Sequence, residues 1–478
     1  MAGIGFELKK LFEKEGILQN VKAYSFSAII TIGPALIAMG TIFTLQWLLK
    51  IKANSLAIRQ IVTSAIFYAF VFSQIITSGF TMVITRYIAD QIYLREYEKI
   101  MPSLYGLLML CVPITALVTG VFYLKSPLDF WFKALAYTFT IEMTIIWILT
   151  VYLSALKNYR KIIGAYIIGF IGTIVTFLGC MVLDMKAFHI GAMLSMNVGF
   201  LMLILCLYKE ILVFIGHQKE GERLFAFFSY LEQYPGLFIC SIAYTLGLYC
   251  HNFIYWQSSH GIVIANTYRV APTYDTPAFF AFLAMMPTMV YFVVRTETSF
   301  YEHYNHYYSL IRQGGTYQEI KTARDTMIST LWKELRNIGE MQLVGLISFA
   351  LIGYMILFGF GASQILLHTY LILLMGTFSC SIMYVISLLC LYYDNRKDAA
   401  LITVSFFVGV SIFTSLSVHA KYLYHGFGFF IGATVALYIA YFRMGRYMKN
   451  LDYHTFCARP IIQQERRGIL TWLSEKLV

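Results

Sequence analysis

The sequence predicts an all-α polytopic membrane protein with about twelve transmembrane helices. Three observations carry that prediction. Apolar types make up 59% of the 478 residues and charged types only 13%, where a soluble domain holds about 25% charged residues. The chain divides into twelve uncharged runs, each near the roughly 20 residues a helix needs to cross hydrocarbon. Lys and Arg, finally, sort onto alternate connections between those runs. With a mean hydropathy of +0.67, the chain carries too little charge to cover a soluble globule, which argues against a multidomain soluble enzyme. Continuous apolar runs argue against a β-barrel, whose strands alternate apolar and polar residues.

The spans follow in order. Ala23 to Leu49 holds span 1, Gln60 to Thr85 span 2 and Ile100 to Leu124 span 3. Ala134 to Leu156 holds span 4, interrupted by Glu142; Ile162 to Leu183 holds span 5 and Ala187 to Tyr208 span 6. The run from Gln233 is too long for one helix, so span 7 ends near Trp256 and a polar loop follows. Thr276 to Val294 holds span 8. Met341 to Tyr393 carries no charge and breaks at Gly359–Ser363 into spans 9 and 10. Ala399 to Ala420 and Tyr422 to Phe442 hold spans 11 and 12.

With the N-terminus inside, 28 of the 36 Lys and Arg fall on inner segments and eight on outer ones. Positive charge collects in cytoplasmic loops, so both termini are expected in the cytoplasm of a multi-pass protein of the cytoplasmic membrane. The net charge of +11 is thereby accounted for without nucleic acid. The lipid bilayer is the first partner implied. The charged N-terminus lacks the apolar core of a cleaved signal peptide.

Three segments lie outside the spans. Residues 1–22 place Ile4, Leu8, Leu11 and Phe12 on one helical face and Lys9, Lys10, Glu13 and Lys14 elsewhere, as in a helix lying on the inner surface. The inner loop 296–340 is the longest connection. The tail 444–478 is basic, with a small apolar stripe at Ile469, Leu473 and Leu477. Between these, residues 23–212 and 237–443 are expected to form two six-helix bundles joined by an inner linker, 213–236. Thr81-Met-Val before Arg86 and Thr288-Met-Val before Arg295 occupy equivalent places in the two halves, as in transporters built from repeats.

Few residues inside the spans can carry chemistry. Ionisable groups deep in a span are costly and tend to face a cavity. Glu142 is the plain case, and Thr138, Thr140 and Thr144 stand close enough in sequence to hydrogen-bond it. It reads as a proton or cation site, as a contact for sugar hydroxyls, or as a carboxyl satisfied by a neighbouring helix. Gln74 and Asn197 also sit in mid-span, where interhelical bonding competes with ligand contact. Gly33-Pro34 in span 1 is a hinge candidate, because proline removes a helical hydrogen bond; a static kink is the alternative. Asp275 before span 8, and Arg295 and Glu297 after it, are pathway candidates or structural ion pairs. His303 and His306 lack a third ligand, so a metal site is not expected, and the eight cysteines form no CxxC pair. No phosphate loop, HExxH or nucleophile elbow occurs. No cofactor and no enzymatic activity are expected.

The opening Met1-Ala-Gly-Ile-Gly-Phe-Glu-Leu-Lys-Lys10 resembles that of the Pel exopolysaccharide export proteins (PelG-type). So do Gly33-Pro34, Thr85-Arg-Tyr-Ile-Ala-Asp90, Pro102, Tyr274-Asp275-Thr-Pro277 and Val294-Arg295-Thr-Glu297. The resemblance implies the fold of the multidrug/oligosaccharidyl-lipid/polysaccharide (MOP) flippases, with two six-helix bundles around a central cavity. It further implies export of a nascent Pel-type amino-sugar polysaccharide, in company with a cytoplasmic glycosyltransferase and Pel membrane subunits, one a cyclic-di-GMP sensor. Two other functions compete: a cation-coupled drug exporter of the same superfamily, for which Glu142 would be the coupling acid, and a non-conducting membrane scaffold for the glycosyltransferase.

Overall fold

Hydrocarbon offers no partner to a backbone N–H or C=O, so each apolar run must bond within itself as a helix. The computed structural model describes residues 17–53, 55–156, 159–183, 187–215, 223–420, 424–458, 468 and 471–472, with the side chains of 17–26, 30, 53, 159–160 and 297–298 excepted. Residues 1–16 of the expected surface helix and the Ile469, Leu473 and Leu477 stripe lie outside the described residues, while 17–22 open the first long helix rather than end a separate one.

The first six spans are α1 (Ile17–Ala53), α2 (Leu56–Leu94), α3 (Ile100–Leu124), α4 (Phe130–Ala155), α5 (Tyr159–Val182) and α6 (Phe188–Ile215). After the short α7 (Phe228–Gln233), α8 (Pro235–Gln257) forms span 7. The segment beyond it is a hairpin of β1 (Ile262–Ile264) and β2 (Tyr268–Val270), with Ile262 opposite Val270 and Ile264 opposite Tyr268. Its turn places Ala265 and Asn266 at φ +48°, the left-handed pair that a tight hairpin turn demands. Span 8 is divided into α9 (Pro272–Leu283) and α10 (Met286–Arg295). A π-turn at Thr296–Phe300 leads to α11 (Tyr301–Gln313), and then come α12 (Tyr317–Gly359), α13 (Gln364–Tyr392), α14 (Arg396–Ser417), α15 (Phe427–Lys449) and α16 (Leu451–Phe456). Among the described residues, twelve helical segments are long and apolar enough to cross a membrane, one for each expected span.

The ends of these helices are legible in local chemistry. The side chains of Ser55, Asp129, Ser363 and Asn395 each cap a first turn, satisfying a donor that the helix leaves open. Thr316 and Glu319 form a reciprocal capping box. That box starts α12 well before its apolar half, so residues 317–340 are not a loop but the charged first half of a 43-residue helix. At 1.5 Å per residue the helix is about 65 Å long, twice the roughly 30 Å of hydrocarbon.

Span 8 breaks for a related reason. Pro287 sits in the first turn of α10 and offers no N–H to the carbonyl four residues earlier. The chain crosses the gap by tighter bonds, from Ala284 N–H to Ala281 O (3.1 Å) and from Met285 N–H to Phe282 O (3.1 Å).

Small residues set the closest helix crossings, as is usual in membranes. Gly169 of α5 meets Gly199 of α6, and Gly409 of α14 meets Gly432 of α15. Outward faces carry large apolar side chains such as Leu117, Leu205, Leu351 and Met355, all more than half exposed, as a lipid-facing surface requires. The chain packs as two units. Of the described residues, one unit comprises those within 33–249 and 255–271 together with 468 and 471–472; the other comprises 17–32, 250–254 and those within 272–458. The division of α1 thus falls at Gly33-Pro34, with Pro34 inside the helix.

Candidate functional site

Polar side chains inside the spans are few enough to follow individually. In the unit beginning at Gly33, a cluster joins α2, α4 and α8. Tyr249 donates its hydroxyl to Gln74 Oε1. Trp147 Nε1 donates to Ser73 Oγ at 3.1 Å, and Ser241 Oγ donates to the Ser78 carbonyl at 2.5 Å. These groups are uncharged donors and acceptors beside aromatic faces.

Asn197 lies elsewhere in this unit and is consumed by packing. Its amide donates to the carbonyls of Leu135 (3.0 Å) and Met193 (2.7 Å), and its Oδ1 accepts from Thr138 (2.6 Å). The threonines expected to serve Glu142 do not. Thr138 bonds Asn197, Thr140 donates to the Ala136 carbonyl (2.8 Å), and Thr144 pairs with Thr115 (3.0 Å). A threonine hydroxyl in a helix finds the carbonyl one turn back before it finds a neighbouring side chain. Glu142 Oε2 is left buried with no hydrogen-bond partner among the described residues.

At one end of α2 stands the stretch Thr85–Asp90. Arg86 pairs with Asp90 (3.1 Å) and lies 5.7 Å over the Tyr234 ring, within reach of cation–π attraction. Tyr230 of α7 packs edge-on against Tyr87 at 5.1 Å. Burial and the Asp90 carboxylate push the Tyr230 phenol up to about 12, so it remains a neutral donor in the physiological range. At the opposite end the β-hairpin is held by aromatic packing. Tyr68 stacks on Trp256 at 4.9 Å, donates to the Arg269 carbonyl (2.7 Å) and accepts from the Arg269 N–H (3.0 Å). Tyr123 and Tyr268 share a hydroxyl bond of 2.8 Å.

The other unit gathers its polar groups around the broken span. Asp275, in the first turn of α9, accepts from Asn252 Nδ2 at 2.7 Å. His251, fully buried, lies among the rings of Phe429 (4.8 Å), Tyr274 (5.5 Å) and Phe282 (5.8 Å). Below the break Thr288 donates to Gln342 Oε1. Arg295 pairs with Glu334 of α12 at 3.0 Å and lies 5.7 Å over the Tyr291 ring. The Glu297 side chain lies outside the described residues.

Arg86 and Arg295, which the Thr-Met-Val matches place at equivalent positions, thus share one arrangement: an ion pair together with a tyrosine face. Asp275 and Arg295 bond different partners, and so do Gln74 and Asn197. Residues 303 and 306 stand on α11 in an aromatic setting, with Tyr304 and Tyr308 4.6 Å apart. Among the described residues no three His, Cys, Asp or Glu converge as metal ligands. Sequence reasoning passed over His251 and Asn252, although a histidine inside an otherwise uncharged run carries the same warning as Glu142.

The family model described as "PelG: Putative exopolysaccharide Exporter (EPS-E)" matches residues 1–456. Among solved structures, the chain is similar to a MOP superfamily transporter from Pyrococcus furiosus, at 14% identity and a TM-score of 0.58 over 89% of this chain and 96% of that one. It is also similar to the Vibrio cholerae MATE transporter VcmN in its bent form, at 13% identity and a TM-score of 0.59 over 94% of this chain and 99% of that one. No curated protein matches the chain in sequence. The fold is that of the MOP transporters.

Proposed function

Because the chain belongs to this family of exopolysaccharide exporters, we propose that it moves a Pel-type amino-sugar polymer across the cytoplasmic membrane, with both termini on the cytoplasmic side. The match over residues 1–456 carries the proposal. The chemistry inside the spans supports it. Gln74, Tyr249, Ser73, Trp147, Asn252 and Thr288 are hydroxyl, amide and aromatic groups, suited to sugar hydroxyls and to the apolar faces of sugar rings. A bulky polar polymer needs many weak, replaceable bonds rather than one deep charge.

In this reading the two six-span halves, 23–212 and 237–443, both serve the polymer's passage and Gly33-Pro34 is the hinge. Gln74, Asp275, Arg295 and Glu297 act along the pathway, and Asn197 holds its helices. The protein transports and does not catalyse. A cytoplasmic glycosyltransferase feeds the chain, membrane subunits including a cyclic-di-GMP sensor complete the assembly, and the inner segment 296–340 and the tail 444–478 dock the soluble enzyme.

The test is reconstitution in vesicles with the glycosyltransferase and its membrane partners. Polymer protected from an added glycoside hydrolase inside the vesicles supports export. Polymer made but fully degraded overturns it in favour of a scaffold. The buried Oε2 of Glu142, without a hydrogen bond among the described residues, favours one second reading, cation-coupled drug export. That reading requires Glu142→Gln to abolish transport.

A further inference from the structure

A cavity of about 780 Å³ opens between α12 and α15, apart from every group assigned above to the polymer and at the membrane-side edge of the surface proposed above to dock the soluble enzyme. Its walls differ in character. Trp332, Tyr441 and Phe442 form an aromatic side, and Arg446 and Lys449 project from the last turns of α15. Arg324 closes the rim and is already held by Asp325 and Asp452.

The cavity lies where water gives way to hydrocarbon. The charge-free stretch of α12 begins at Met341 and that of α15 ends at Phe442. The Trp332 and Tyr441 rings meet at 5.1 Å, so the charged part of α12 lies beside the end of the apolar stretch of α15. Trp and Tyr are the residues that favour headgroup depth.

The charges are available. Arg443, one turn earlier on α15, is taken by Asp398. Arg446 and Lys449 pair with no carboxylate among the described residues. Three residues apart on a helix, they share a face. The cations at this helix end answer its dipole, but the dipole does not require a cavity of this size beside them. The opening also faces the right medium: Tyr441 is 58% and Phe442 60% exposed on a span that lipid surrounds. A soluble anion would have no use for that aromatic, lipid-facing wall.

We propose that this cavity binds an anionic glycerophospholipid, its phosphate between Arg446 and Lys449 and the first segment of its acyl chains against Trp332, Tyr441 and Phe442. The site is independent of which polymer the protein carries. Basic pockets between spans hold anionic headgroups in this manner.

The experiment titrates the delipidated full chain in neutral detergent with phosphatidylglycerol or phosphatidylcholine, reading the first bound lipid by native mass spectrometry. Phosphatidylglycerol is expected to bind more tightly. Arg446→Gln with Lys449→Gln lowers its affinity about thirtyfold, about fivefold per cation, and leaves phosphatidylcholine unchanged. Trp332→Ala weakens both lipids. Lys50→Gln with Lys52→Gln, at another helix end, leaves the preference intact. Equal affinity for the two lipids, or a preference that survives Arg446→Gln/Lys449→Gln, overturns the proposal. So does an equal loss from the Lys50 and Lys52 changes, or displacement of the lipid by millimolar inorganic phosphate. The altered cations are exposed, and an unchanged melting temperature confirms folding of each variant.

Discussion

Replacing Arg295 by Gln strips the partner from a carboxylate that is only 9% exposed at the side chain. At 3.0 Å and an effective dielectric of about 20, the pair attracts by about 5 kcal/mol before desolvation. Arg295 is about one-third exposed, so water repays part of the loss. What remains for Glu334 is a weak bond from Asn337 at 3.4 Å. Breaking a buried pair from one side costs about 3–5 kcal/mol, and the partial exposure places Arg295→Gln near the lower figure. Arg295→Gln with Glu334→Gln removes both charges together and recovers most of that cost. A double-mutant cycle by equilibrium unfolding in mixed micelles should therefore give a coupling of about 2–3 kcal/mol. A coupling below about 0.5 kcal/mol, the value of an exposed pair, would refute the claim that this contact ties the broken span to α12.

Other expectations are separate. Glu142→Gln leaves polymer export within about twofold of the original in the vesicle assay, because elongation can drive the chain; the drug-export reading predicts abolition. Ala265→Gly relieves a left-handed alanine and stabilises the hairpin by about 0.5 kcal/mol, the strain of about 1 kcal/mol less the added chain entropy; proteolysis between spans 7 and 8 slows. Gly432→Ala sets a Cβ 2.6 Å from the Val410 nitrogen and lowers stability by about 1–3 kcal/mol, read as a lower melting temperature in detergent.

The spans were legible because hydrocarbon enforces a rule that composition alone can express: no charge for about twenty residues. Glu142 was legible for the same reason, as the exception. Its surroundings were not, since each nearby threonine had a carbonyl or another helix within easier reach. Nothing in the sequence couples Gln74 to Tyr249, which lies 175 positions away. The break in span 8 was not read, although Pro287 lies within the run; a proline that kinks a helix and one that ends it look alike before the neighbouring turn is known. The charged half of α12 read as a loop because it is polar, although Thr316 and Glu319 already spell a helix start.

Consider α12 as a mechanical part. Its charged end stands in water and its apolar end in lipid, yet one uninterrupted ladder of hydrogen bonds runs through both. A rod has no joint at the membrane surface. A push received near Thr316 is therefore carried along the same helix, past the contact of its own Trp332 with Tyr441 of α15, into the lipid-embedded end.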